Sequence, residues 1–140
     1  MITEAQYFSQ WRYAPDVTAQ CIENANNLLR AVNSLMFIAI EAGISFPINP
    51  ATRSQISGAE FGGYRPIACP IGAVNSAHKK GLAVDIYDPT NEIDAWAVRE
   101  SGTGGLLEIC GIYVEHPSKT QQWSHWTTRA PGSGHRVFWP

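Results

Sequence analysis

His78 and Asp85 lie seven positions apart in the segment Ser76-Ala77-His78-Lys79-Lys80-Gly81-Leu82-Ala83-Val84-Asp85. Leu82, Ala83, Val84, Ile86 and Tyr87 surround the aspartate with strand-forming residues. A carboxylate in so apolar a run is costly unless it is paired or binds a metal. His78 precedes the strand, on a segment that Gly81 lets turn sharply. Such a turn can bring an imidazole nitrogen and a carboxylate oxygen to one cation. Zinc accepts this mixed donor set, and at a catalytic centre it takes three protein ligands and keeps a position for water. The alternative for the same residues is a loop histidine and an aspartate that ends a strand.

A third ligand must then come from His116, His125 or His135, the remaining histidines. His125 stands among strand residues, between Trp123 and Trp126, and can point into a cleft floor. Its alternative is a satisfied core histidine. His116 precedes Pro117, and His135 follows a Gly-Ser-Gly turn, so both read as loop residues.

The segment resembles the signature Ser-x-His-x-x-Gly-x-Ala-x-Asp of the M15 family of zinc peptidases, the D-Ala-D-Ala carboxypeptidase group. Ser76, His78, Gly81, Ala83 and Asp85 match it in type and spacing. The family also implies an upstream arginine and a downstream histidine in a Trp-x-His context. Gly62-Gly63-Tyr64-Arg65-Pro66 and Trp123-Ser124-His125-Trp126 supply these in the same order. The likeness is greatest to the small phage and prophage members and runs from about Asn49 to Pro140. It implies His78, Asp85 and His125 as zinc ligands and a DD-peptidase/Hedgehog-type fold. It also implies hydrolysis of a bond in peptidoglycan stem peptides, either D-Ala-D-Ala or L-Ala-D-Glu, since the family contains both specificities.

A peptidase of this kind needs a general base that takes a proton from the metal-bound water and returns one to the leaving amine. Several M15 enzymes carry an acid three positions before the last histidine. Here Gln122 occupies that position and cannot serve. Glu115, at the end of the preceding strand, is the expected base, because pairing of that strand with Trp123–Thr128 would set it beside His125. Asp88 is the reserve; it lies three residues after Asp85, so strand alternation turns it to the opposite face. Arg65 is the expected electrophile, holding a developing oxyanion or a substrate carboxylate. Its alternative is an arginine that braces a loop. Ser76, Tyr64 and Trp126 are the candidate substrate-binding residues, although both aromatics also suit a core.

The elements that must position these groups follow from periodicity. Thr3 caps a short helix from Glu4 to Phe8, and Asp16 is the expected cap of a second. From Val17 the apolar residues Cys21, Ile22, Ala25, Leu28, Leu29, Val32, Leu35, Met36, Ala39 and Ile40 recur at helical spacing up to Gly43. Asn33-Ser34 is a point where that helix bends or divides. Asp88-Pro89-Thr90 starts a further helix, and Leu106 to Cys110 another. Strands are expected over Leu82–Tyr87, Ile112–Glu115, Trp123–Thr128 and Arg136–Phe138. Helices first and short strands later predict a single α+β domain over residues 1–140, its N-terminal helices packed on one face of a small antiparallel sheet.

Composition narrows the function. The chain has 10 Lys and Arg against 12 Asp and Glu, for a net charge of −2, which leaves no electrostatic case for nucleic acid and weighs against a nuclease. Cys21, Cys69 and Cys110 are few and far apart, which excludes a disulfide framework and a cysteine zinc site and points to free thiols. There is no P-loop, dinucleotide fingerprint, nucleophile elbow or His-Glu-x-x-His motif. Leu35 to Ile40 is too short to cross a bilayer, so no membrane insertion is expected. The first residues lack a basic region and an apolar run, so no signal peptide is expected. The expectation is a monomeric zinc peptidase made in the cytoplasm, acting on the cell wall once a phage lysis or virion route delivers it. The rival is a non-catalytic zinc domain of the same fold that binds cell wall or forms part of a phage particle.

Overall fold

A computed structural model describes residues 1–140. Its elements in chain order are helices α1 (Glu4–Phe8) and α2 (Ala19–Glu41), strand β1 (Ala83–Tyr87), helices α3 (Glu92–Arg99) and α4 (Leu106–Ile109), and strands β2 (Tyr113–Glu115), β3 (Trp123–Thr127) and β4 (Val137–Phe138). Short 3-10 turns cover Ser9–Trp11, Ala77–Lys80 and Pro117–Lys119. The architecture is α+β.

α1 begins with a reciprocal cap, as its sequence implies. Thr3 Oγ1 accepts from Gln6 N, while Gln6 Oε1 accepts from Thr3 N. α2 departs from expectation at its start. Thr18 is the cap, accepting from Cys21 N at 3.1 Å, and the Asp16 carboxylate instead accepts the Ile67 N–H from a distant loop. α2 then runs unbroken through Asn33 and Ser34, because Asn33 directs its side-chain amide to both backbone groups of Ile2 and leaves the helix ladder intact. Its buried stripe is Cys21, Ala25, Leu28, Leu29, Val32, Leu35, Met36 and Ala39; Ile40, expected in that stripe, faces solvent.

The sheet order is β1-β3-β2-β4. β1 and β2 both pair antiparallel with β3, with Asp85 opposite His125 and Val114 opposite Trp126. β4 pairs parallel with β2, Glu115 opposite Phe138, so the sheet is mixed rather than purely antiparallel. The segment after Arg129 crosses β2 before it pairs, so β4 still runs antiparallel to β3 but lies beyond β2 and parallel to it.

Strand alternation separates the two faces of the sheet. Val84, Ile86, Val114 and Trp126 pack against α2 in one core cluster that also holds Tyr7, Phe8 and Tyr64. Asp85, His125 and Glu115 belong to the other face. Trp126 and Tyr64 are fully buried, and neither lines the cleft described below, which corrects their reading as substrate-binding residues. Trp126 meets Phe46 edge to face and gives its indole N–H to Ser124 Oγ at 2.7 Å, so both its apolar body and its polar atom are used internally. No helix is long and apolar enough to cross a membrane.

Candidate metal centre

Asp85 is fixed by two backbone hydrogen bonds on the outer edge of β1. Its backbone N–H donates to Gly62 O at 2.7 Å, and its carbonyl accepts from Ser57 N at 2.8 Å. Both groups therefore point away from β3 to the loop along the sheet edge. This makes Asp85 and His125 a non-hydrogen-bonded antiparallel pair, the kind in which facing side chains come closest.

His78 arrives from the 3-10 turn before β1. Gly81 closes that turn at φ +73°, and a β-carbon there would meet Cys21 O of α2 at 2.4 Å. Only glycine permits both the left-handed backbone and the close approach to α2. The approach drives the His78 ring inward until it is 2% exposed. Its Nδ1 lies 2.7 Å from Gly63 O. A carbonyl only accepts, so Nδ1 carries the proton and Nε2 keeps its lone pair for a ligand role.

The three side chains converge. His125 Nδ1 is 2.7 Å from Asp85 Oδ1, His78 Nε2 is 3.2 Å from the same oxygen, and the two histidine nitrogens are 3.3 Å apart. Donors about 2.1 Å from a tetrahedral ion lie about 3.4 Å from one another. Two of the three separations already match that, and the shortest needs only a small opening. His78, Asp85 and His125 can thus hold a metal ion together.

The electrostatics suit a cation. Burial pushes the Asp85 carboxyl up, but at the low pH where it titrates His78 and His125 are protonated, and their charge and hydrogen bonds outweigh burial and hold the group well below the usual carboxylate range. Burial lowers His78, against the opposing pull of Asp85, and so favours the neutral ring that a metal requires. Arg65 completes the surroundings: Nη2 donates to Asp85 Oδ2 at 2.7 Å, and Nε donates to Phe61 O at 2.7 Å. It thus braces the aspartate, with one oxygen of Asp85 turned to Arg65 and the other to the histidines. A β-carbon on Gly72 would come within 2.8 Å of Arg65 Nη1, so the 72–77 loop packs on the guanidinium.

His78 and His125 open onto a cleft of about 590 Å³, lined among others by Ser76, Glu115 and Trp123. The β2–β3 register carries Glu115 to the place beside His125, in the same row as Asp85. Burial raises the Glu115 carboxyl above its ordinary value, and the nearby His125 opposes that shift. A second cavity of about 440 Å³, lined in part by Phe61, Asp85 and Trp123, shares Arg65 with the first.

The other candidates lie elsewhere. His116 stacks on Trp139, ring centroids 3.9 Å apart, and its Nδ1 bonds Ser118. His135 is exposed in the turn before β4. Asp88 is buried and accepts from Asp94 N at 2.9 Å, so it caps α3 rather than facing the metal donors. Gln122 takes a left-handed turn at φ 67° and is exposed. Sequence reasoning did not single out Arg129, which also lines the cleft. Its signal was the phase of β3: Trp123, His125 and Thr127 share a face, and Arg129 continues that alternation just past the strand end.

No protein-family model matches the chain, and neither a curated protein nor a solved structure does.

Proposed function

We propose that the chain is a zinc-dependent peptidase that hydrolyses peptidoglycan stem peptides, with the DD-peptidase/Hedgehog-type fold. The observation that carries this reading is the meeting of His78, Asp85 and His125, with both histidines on the wall of a cleft that Glu115 also lines. Two imidazoles and one carboxylate are a donor set suited to zinc. The matched signature from Ser76 to Asp85 supports the substrate class.

Bound by these three residues, zinc would supply a water acidified to near neutrality and polarise the peptide carbonyl. Glu115 takes the proton from the attacking water and passes it to the leaving amine. Its raised affinity for protons suits both halves of that transfer. Arg65 holds Asp85 in place through Nη2 and offers Nη1 to the oxygen that gains charge. Ser76, on the cleft wall beside His78, orients the peptide. The bond cut is D-Ala-D-Ala or L-Ala-D-Glu.

The test is metal content by elemental analysis together with release of peptide ends from peptidoglycan, with and without chelator. One equivalent of zinc and chelator-sensitive release are expected, and mass spectrometry of the fragments names the bond. Zinc without release would favour the non-catalytic wall-binding or phage structural domain, a reading that Gln122 at the usual acidic position keeps open. Protein purified without chelator and found free of metal would overturn the assignment of His78, Asp85 and His125.

A further inference from the structure

Two arginines line the cleft that holds His78, His125 and Glu115, and they are committed differently. Arg65 spends two of its nitrogens on the protein, Nη2 on Asp85 and Nε on Phe61 O. Arg129 stands on the exposed segment after β3 and engages only Nη1, which donates to Asn75 O at 2.8 Å. No carboxylate of the chain lies within ion-pair distance of Arg129. Glu115 is the one acidic residue lining this cleft.

The bond to Asn75 ties Arg129 to the 72–77 loop, whose Gly72, Ala73 and Ser76 form one wall of the cleft. The guanidinium is thereby held at one nitrogen, with Nε and Nη2 left for another partner. A planar fork anchored in this way suits a carboxylate, which takes two parallel hydrogen bonds from it. Four residues of chain separate Arg129 from His125, at most roughly 14 Å along the backbone. A carboxylate held by Arg129 thus lies within roughly four residues of a peptide bond positioned over the metal donors.

We propose that Arg129 is a specificity-determining residue that binds a free carboxylate of the substrate close to the scissile bond. The proposal rests on the peptidase reading and adds to it a division of labour: Arg65 serves the metal site, and Arg129 reads the substrate's negative charge. In a lysine-type stem peptide, the form used below, that charge has two sources, the C-terminal carboxylate of the last D-alanine and the α-carboxylate of the D-glutamate.

The experiment compares three synthetic stem pentapeptides with the zinc-loaded protein: the free acid, the C-terminal amide, and the form in which D-isoglutamine replaces D-glutamate. One amidation is expected to lower kcat/KM about tenfold in the wild type, mainly through KM, and which one does so names the source. In Arg129→Gln, which keeps a donor for Asn75 O but no charge, that penalty shrinks toward twofold or less. Arg129→Lys regains part of it. If neither amidation matters to the wild type, or if the penalty persists undiminished in Arg129→Gln, the proposal is overturned. If the wild type cleaves none of the peptides, the peptidase reading fails. Calorimetric binding of the same peptides then decides on Arg129 alone: a preference for one acid that Arg129→Gln abolishes supports it, and equal affinities overturn it.

Discussion

Asp85 and His125 face each other across β1 and β3 as a non-hydrogen-bonded antiparallel pair, and His125 Nδ1 comes within 2.7 Å of Asp85 Oδ1. The backbone of Asp85 is taken up by Ser57 and Gly62 on the outer side of β1. The sheet edge therefore sets the spacing of two of the three candidate metal donors, and the Gly81 turn delivers the third.

Asp85→Asn should abolish stoichiometric zinc binding. The amide removes the negative charge that two histidines and Arg65 converge on. The loss should exceed the roughly 10- to 100-fold that follows changes outside the ligand shell. Competition with a chromogenic chelator measures it, and affinity within tenfold of wild type would remove Asp85 from the ligand set.

Arg65→Gln should weaken zinc by about 10- to 100-fold without abolishing binding, because it frees Asp85 Oδ2 but leaves all three donors in place. The same chelator competition reads it. Unchanged affinity would assign Arg65 to the substrate side alone.

Glu115→Gln should retain one equivalent of zinc and lose about 10²- to 10⁴-fold in kcat, the range of a lost general base. Zinc content and peptide release, measured on one preparation, separate the two effects. Full activity in this variant would move the base elsewhere.

Asp94 gives a pH signature on the far side of the sheet from the metal donors. Its carboxyl accepts from Thr120 Oγ1 at 2.6 Å in a buried site, and burial raises it from 3.8 to about 6, against the hydrogen bonds of Ser124 and Thr120. The folded state therefore holds this proton more tightly than the unfolded chain does. Its contribution to stability is full below 3.8 and is lost as pH rises toward about 6. Burial shifts His78 downward, which gives the opposite slope below its ordinary value of 6.5, so the comparison must be with a variant. In thermal melts, Asp94→Asn should gain on the wild type as pH rises from 4 to 6, after which the gap should hold constant. A gap independent of pH would sink this assignment.

Gly81→Ala should destabilise the fold by at least about 1–3 kcal/mol, the cost of left-handed backbone, with the clash on Cys21 O added. It should also lower zinc affinity, since the same turn seats His78. Urea unfolding and metal titration test the two together; loss of stability with intact zinc binding would separate the turn from the site.

Much of this arrangement was legible in the sequence, because it depends on local order. The stripe from Cys21 to Ala39 has helical period, and burial of that stripe under the sheet follows from its apolarity. His78, Gly81 and Asp85 lie within one turn and one strand, so their spacing nearly determines their geometry. Glu115 beside His125 follows from continuing the register of Val114 and Trp126 by one residue.

What only the tertiary structure decided involves partners far apart in the chain. Asp16 and Thr18 are both good caps by type, and the choice fell to Thr18 because Ile67 N, some fifty residues on, took Asp16. Tyr64 and Trp126 sit beside site residues in sequence yet turn to the opposite side, because the core needed their bulk. The parallel sense of β4 depends on where the 129–136 segment passes β2. Arg65 and Arg129 are the same residue type in the same cleft; one has Asp85 within reach and the other only a carbonyl. Periodicity sets which face a side chain occupies, but its partners are chosen by long-range packing, and here that packing decides which arginine pairs with Asp85 and which bonds only a backbone carbonyl.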